Sequence, residues 1–132
     1  MELSARTFDE QLNVVKEDGV ALFVQFYADW CNHCKVVAPI WARLADVYKR
    51  DPRIVFARVN GDNNDRLMSR FKVEGYPNFL FFTKANVDGE LYRGYRTFEV
   101  MLKWLQDRMG QPVCYSTKKN LYRNSIQKSI LY

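Results

Sequence analysis

The chain has 132 residues, 48% of them hydrophobic and 15% aromatic, enough for one domain with a packed core and too apolar for a disordered segment. Its longest apolar run, Val20 to Ala28 with Gln25 inside it, is strand-sized and falls short of the roughly 18 residues a membrane-spanning helix needs. The formal net charge is +5, but Lys118, Lys119, Arg123 and Lys128 supply four of the five from an acid-free tail, residues 111–132, so residues 1–110 are near neutral and nucleic-acid binding loses its support.

In chain order, Met1 to Thr7 lack the basic and apolar regions of a secretory signal. Thr7-Phe8-Asp9-Glu10 reads as a capping box opening a helix with Phe8, Leu12 and Val15 on one face, and Gly19 is its expected stop. Val20 to Tyr27, β-branched and aromatic, reads as a central strand covered on both faces. A short turn, Ala28-Asp29-Trp30, leads into a long helical pattern with Val36, Val37, Ile40, Trp41, Leu44, Ala45, Val47 and Tyr48 inward; Pro39 within it predicts a bend, and Asp51-Pro52 ends it. Ile54 to Val59 is a second strand, Asn63 to Phe71 a short helix, and Asn78 to Thr83 a third strand. Val87-Asp88-Gly89-Glu90 reads as a turn into Leu91-Tyr92-Arg93. Thr97 caps a final helix through Met109, with Val100, Met101, Trp104 and Leu105 inward and Gly110 closing it. The alternation predicts an α/β domain over residues 1–110, with a mixed sheet flanked by helices on both faces. Residues 111–132 form a basic tail, either helical with Leu121, Tyr122, Ile126 and Ile130 on one side or disordered, and packing on the domain, a partner contact and an acidic membrane surface all remain open uses.

Three cysteines are too few for a disulfide scaffold, and Cys114 in the tail is left as a free thiol or a bridge to another chain. Cys31 and Cys34 fall where a strand ends and a helix begins. At i and i+3 on a first helical turn they face the same side with Cα atoms about 5–6 Å apart, which permits a bridge. Cys31, expected to have the more exposed sulfur, sits at the positive end of the helix dipole, which favours its thiolate; it is the expected nucleophile and Cys34 the resolving thiol. His33 between them can stabilise the Cys31 thiolate, or stand solvated at the helix end. Half of a zinc site is the competing reading, but the other ligand candidates are His33 and the distant Cys114, so neither a metal nor a cofactor is expected.

Phe26-Tyr-Ala-Asp-Trp-Cys-Asn-His-Cys-Lys35 resembles the catalytic domain of the protein disulfide isomerase family, whose signature is phenylalanine-tyrosine-alanine-x-tryptophan before the first cysteine and glycine-histidine before the second. The likeness continues through Ala38-Pro39-Ile40-Trp41 and Leu44-Ala45, Val73-Glu74-Gly75-Tyr76-Pro77, and Tyr92-Arg93-Gly94-Tyr95-Arg96, across residues 4–109. It implies a thioredoxin fold, a cis Pro77, and a loop at Tyr76 and Pro77 that offers backbone groups to an extended substrate. Trp30 matches the aromatic residue flanking the nucleophile, and packing alone is its plainer reading. Arg96 matches an arginine that swings toward the site and lowers the resolving thiol's pKa.

Two departures stand out. Asn32 replaces the usual glycine, which a helix start tolerates. Gln25 stands where the family commonly has a buried acid that accepts the resolving thiol's proton, and the family's facing lysine matches Arg58, expected here to lack a carboxylate across from it. Slower release of mixed disulfides follows, unless Gln25 is simply a hydrogen-bonded strand residue.

The resemblance therefore implies a single-domain thiol–disulfide oxidoreductase acting on unfolded or disulfide-containing proteins. Its redox partner would be glutathione or a thiol oxidase, and its compartment the endoplasmic reticulum lumen or another secretory space, although the tail has no lysine-aspartate-glutamate-leucine retention signal. A thioredoxin-like reductase, or a chaperone-like module with secondary redox activity, is the alternative.

Overall fold

The computed structural model describes residues 1–113, so the expectations for the tail lie outside the described residues. Alternating apolar side chains on the central strands bury both sheet faces, and amphipathic helices cover them. The sheet has five strands: β1 (Glu2–Leu3), β2 (Ala21–Tyr27), β3 (Ile54–Asn60), β4 (Asn78–Thr83) and β5 (Asn86–Leu91), in the order β1-β3-β2-β4-β5. β1 and β2 run parallel to β3, while β4 is antiparallel to both β2 and β5. The helices are α1 (Phe8–Asp18), α2 (Asn32–Val47), α3 (Asp65–Arg70) and α4 (Phe98–Met109), and a 3-10 turn (Gly61–Asn63) precedes α3.

β2 shows the logic of the core. Leu22, Val24 and Phe26 point to one face, where Phe8, Leu12 and Val15 of α1 and Leu67 of α3 complete a cluster. Ala21 and Phe23 point to the other, against Val37, Trp41 and Leu44 of α2 and Met101 and Leu105 of α4. Phe23 is the hub: its ring centroid lies 4.9 Å from that of Trp41, 5.5 Å from Trp104 and 5.6 Å from Phe81. Burying each such side chain stabilises the fold by about 2–3 kcal/mol.

The predicted mixed sheet is present, with local corrections. β1 is an addition; two residues are too few for periodicity to reveal. Val87 to Glu90 is strand rather than turn: Val87, Asp88 and Gly89 lie opposite Phe82 alone, an irregularity in the β4–β5 ladder. Gly89 has φ +91°, and a Cβ there would come within 2.9 Å of the Phe82 ring, so glycine lets the strand pass. Thr7 forms no capping box: its hydroxyl accepts the Ser4 amide at 2.9 Å, while the Ser4 carbonyl takes the Phe8 amide at 2.9 Å. Thr97 does cap α4, accepting the Val100 amide at 3.3 Å, and Gly19 ends α1 in the left-handed conformation. Val36 and Val100 are 68% and 40% exposed rather than inward, each one residue off the buried stripe of its helix. α2 is continuous through Pro39.

Candidate active site

β2 carries the chain out of the core at Tyr27, and the turn Ala28–Trp30 delivers it to the start of α2. Cys31 has extended backbone (φ −80°, ψ 113°) and is the N-cap residue of that helix. Its Sγ accepts the Cys34 amide at 3.1 Å, taking the place of the usual capping oxygen, and its own amide donates to the Ala28 carbonyl at 3.2 Å. Both cysteines are free thiols, grouped with Ala28 and flanked by Tyr27 and Tyr76. At 5% and 6% exposure they are almost equally covered, which corrects the expectation of a more exposed Cys31. The residue's capping turn tucks its sulfur over the helix end instead of out into solvent.

Burial pushes the Cys34 thiol up to about 11, and its hydrogen bond with Cys31 adds to the rise; the Ala28 backbone and the positive charge of Arg96 pull the other way. Arg96 is exposed in the loop between β5 and α4, so its charge reaches Cys34 from outside the helix. His33 is exposed on the first turn of α2 and makes no hydrogen bond or ion pair among the described residues.

Tyr76-Pro77 is a cis peptide, directly before β4. The Tyr76 ring meets Trp30 edge-on, with centroids 5.7 Å apart and an interplanar angle of 80°. Trp30 is 67% exposed, yet its indole N–H donates to Asp62 Oδ2 at 2.7 Å. Burial, followed by the charges of Asp62 and Asp65, raises the Tyr76 hydroxyl above its ordinary value. Gly61 makes room for that ring, since a Cβ there would sit 2.2 Å from the Tyr76 hydroxyl oxygen. Asp62 is thus a site residue that sequence reasoning missed. It is an acid in a polar loop, and nothing local marks it as the partner of an indole 32 positions away.

The structure unites Trp30, Cys31, Cys34 and Tyr76, with Pro77 beside them, but it separates Gln25 from Arg58. Gln25 is 1% exposed, and neither its Oε1 nor its Nε2 has a hydrogen-bond partner among the described residues. Arg58, its neighbour in register on β3, turns away to the sheet edge. There its guanidinium lies 3.9 Å from the centroid of the Tyr27 ring and its Nη1 donates to Glu2 Oε1 at 3.2 Å. Arg58 therefore has no carboxylate on its Gln25 side and finds one on the other, at Glu2. The acid comes from β1, the strand too short to read from the sequence.

Among the described residues no group of three or more His, Cys, Asp and Glu converges as a metal site. None of their helices is long and apolar enough to cross a membrane.

Comparison with known proteins gives three kinds of likeness. The Thioredoxin family profile matches residues 1–107. Protein disulfide isomerase-like 2-1 of Oryza sativa subsp. japonica is 39% identical over 82% of this chain and 29% of its own length, and the probable protein disulfide-isomerase A6 of Medicago sativa is 35% identical over 82% and 29%. Human ERp44, in its form I crystal structure, superposes with a TM-score of 0.71 at 27% identity, covering 83% of this chain and 29% of that one. The chain spans under a third of the length of these relatives.

Proposed function

The chain belongs to the thioredoxin family, and from that premise we propose that it is a thiol–disulfide oxidoreductase using Cys31 and Cys34 to exchange disulfides with protein substrates. The observation that carries this reading is the N-cap geometry: the Cys31 sulfur, held 3.1 Å from the Cys34 amide at the start of α2, beside a cis Tyr76-Pro77 loop.

In the reducing direction the deprotonated Cys31 sulfur attacks one sulfur of a client disulfide. A mixed disulfide forms and one client thiolate leaves. Cys34, once deprotonated, attacks Cys31 Sγ, closes the intramolecular bridge and releases the second client thiolate. Two electrons pass to the client, and the reverse sequence oxidises it. Trp30, Tyr76 and Pro77 form the wall against which an extended client segment lies. Arg96 assists the second step by favouring the Cys34 thiolate, and His33 tunes the first. Glutathione or a thiol oxidase resets the pair, and the isomerase-like relatives support a secretory compartment such as the endoplasmic reticulum lumen.

The second step is the slow one. Cys34 is a weakly acidic buried thiol, and buried Gln25, at the position where the resemblance implies a proton-accepting acid, cannot accept a proton. Cys34→Ser should trap the Cys31 mixed disulfide and Cys31→Ser should form none, as read by mass spectrometry after acid quench. Gln25→Glu should speed resolution at pH 7; an unchanged rate removes position 25 from the mechanism. A potential near about −180 mV supports the isomerase-like assignment, and one near about −270 mV the thioredoxin-like reductase. Exposed Trp30 and Tyr95, at 67% and 80%, favour a secondary chain-gripping role, which Cys31→Ala would leave intact in an aggregation-suppression assay.

A further inference from the structure

The topology gathers four connections at one end of the sheet. β2 and β3 run parallel, and β4 runs opposite to both β2 and β5, so the ends of β2, β3 and β5 and the start of β4 lie together. The turn leading to Cys31 follows β2, Gly61 to Asn64 follow β3, the loop with Arg96 follows β5, and cis Tyr76-Pro77 precedes β4. In the order β3-β2-β4-β5, the β3 loop falls on one side of the thiols and the β5 loop on the other. The rim therefore carries opposite charge on its two sides. Exposed Arg93 and Arg96 stand on the β5 side. Asp62 and Asp65 stand on the β3 side, joined by Asp29, whose Oδ2 accepts Asn60 Nδ2 at 3.4 Å.

The acidic side is built into the aromatic wall. Trp30 is 67% exposed and meets Tyr76 edge-on, while Asp62 Oδ2 holds the indole N–H at 2.7 Å. After burial, the charges of Asp62 and Asp65 are what raise the Tyr76 hydroxyl, so their field covers the wall. None of Asp29, Asp62 and Asp65 is in an ion pair among the described residues, which leaves their charge open to a partner from outside. They do not converge as a metal site. An open indole face with a carboxylate at its rim suits a guanidinium instead: the cation's plane stacks on the ring and its N–H fork reaches the acid.

We propose that Asp62, together with the Trp30 ring, is a specificity determinant that selects clients carrying an arginine close to the attacked cysteine. The client guanidinium lies on Trp30 against Asp62, and Arg96 repels it from the far side of the thiols, so one pair of charges also orients the client. This deepens the exchange reading and rests on it.

The test is the rate of thiol exchange between the reduced chain and two peptide disulfides. They differ only in bearing arginine or its neutral isostere citrulline two residues to either side of the cysteine. Each rate is divided by that of dithiothreitol with the same peptide, which removes the effect of the charge on the peptide's own sulfur. The arginine peptide should react about fivefold faster, the gain expected of one solvent-exposed cation site. Raising the salt to about 0.5 M should bring the preference below about twofold. Asp62→Asn, which keeps an acceptor for the indole N–H, should do the same. Asp18→Asn, which removes an equal charge beyond the opposite end of β2, should leave the preference in place. The proposal is overturned if the parent treats the two peptides alike, a comparison that needs no variant. It is also overturned if the preference survives in Asp62→Asn or is lost equally in Asp18→Asn. Failure of the exchange reading looks different: neither peptide would form a mixed disulfide even with Cys34→Ser.

Discussion

Two buried polar side chains stand at opposite ends of α2 and are treated in opposite ways. Asp51, just beyond the helix's C-terminal end, is 4% exposed and saturated: Arg53 donates Nε and Nη2 to its carboxylate at 2.9 and 2.7 Å, and the backbone amides of Arg53 and Val113 each add a bond at 2.9 Å. Gln25, on the strand face that α2 covers toward its N-terminal end, is 1% exposed and bonded to nothing among the described residues. One end spends its polar group on holding the fold together: Arg53 also reaches the Gln111 carbonyl at 3.0 Å, and Tyr48 the Gly110 carbonyl at 3.2 Å, so the segment leaving α4 is fastened here. The other keeps an unsatisfied amide two residues before Tyr27, on the strand that leads into the turn carrying the thiols. Structures tolerate that cost mainly where chemistry uses it.

Breaking the saturated end should have the largest effect. Asp51→Ala removes the acceptor of several donors at once and should destabilise the chain by about 3 kcal/mol in urea unfolding. The rate of exchange per folded molecule should stay unchanged. A loss below about 1 kcal/mol would mean that the clasp does little for the fold. The charge has its own signature. Burial raises the Asp51 carboxyl, but the hydrogen bonds from Arg53 and Val113 outweigh it and hold it below the usual carboxylate value. The stabilisation is therefore complete above about pH 4 and disappears as pH falls through the lower folded-state value. Asp51→Asn should be less stable than the parent at pH 6, and the gap should close as the pH is lowered below about 4. A gap that stays constant on acidification would show that the charge plays no part.

The same contrast explains which features were legible in the sequence. β2, β4 and the helices announce themselves because their apolar period is set by what they cover, and Cys31 with Cys34 could be placed at a strand-to-helix junction from local pattern alone. What stayed hidden depends on partners far along the chain. Glu2 meets Arg58 across 56 positions, Asp62 meets Trp30 across 32, and Val113 meets Asp51 across 62. β5 was misread for the same reason: Asp88-Gly89 carries the signature of a turn, and only the Phe82 ring beneath it shows that the glycine serves close approach within a strand. Gln25 stands out in the sequence as a departure from a family pattern, but its isolation depends on Arg58, which turns to Glu2 and Tyr27 at the sheet edge.

Smaller in size, and opposite in sign, is the effect of removing the unsatisfied group. Gln25→Leu fills a comparable volume with a shorter apolar side chain while deleting a buried amide with no partner among the described residues. A leucine there should leave stability unchanged or raise it by about 1 kcal/mol. A loss of more than about 1 kcal/mol would show that the amide is satisfied in solution, and the contrast with Asp51 would collapse.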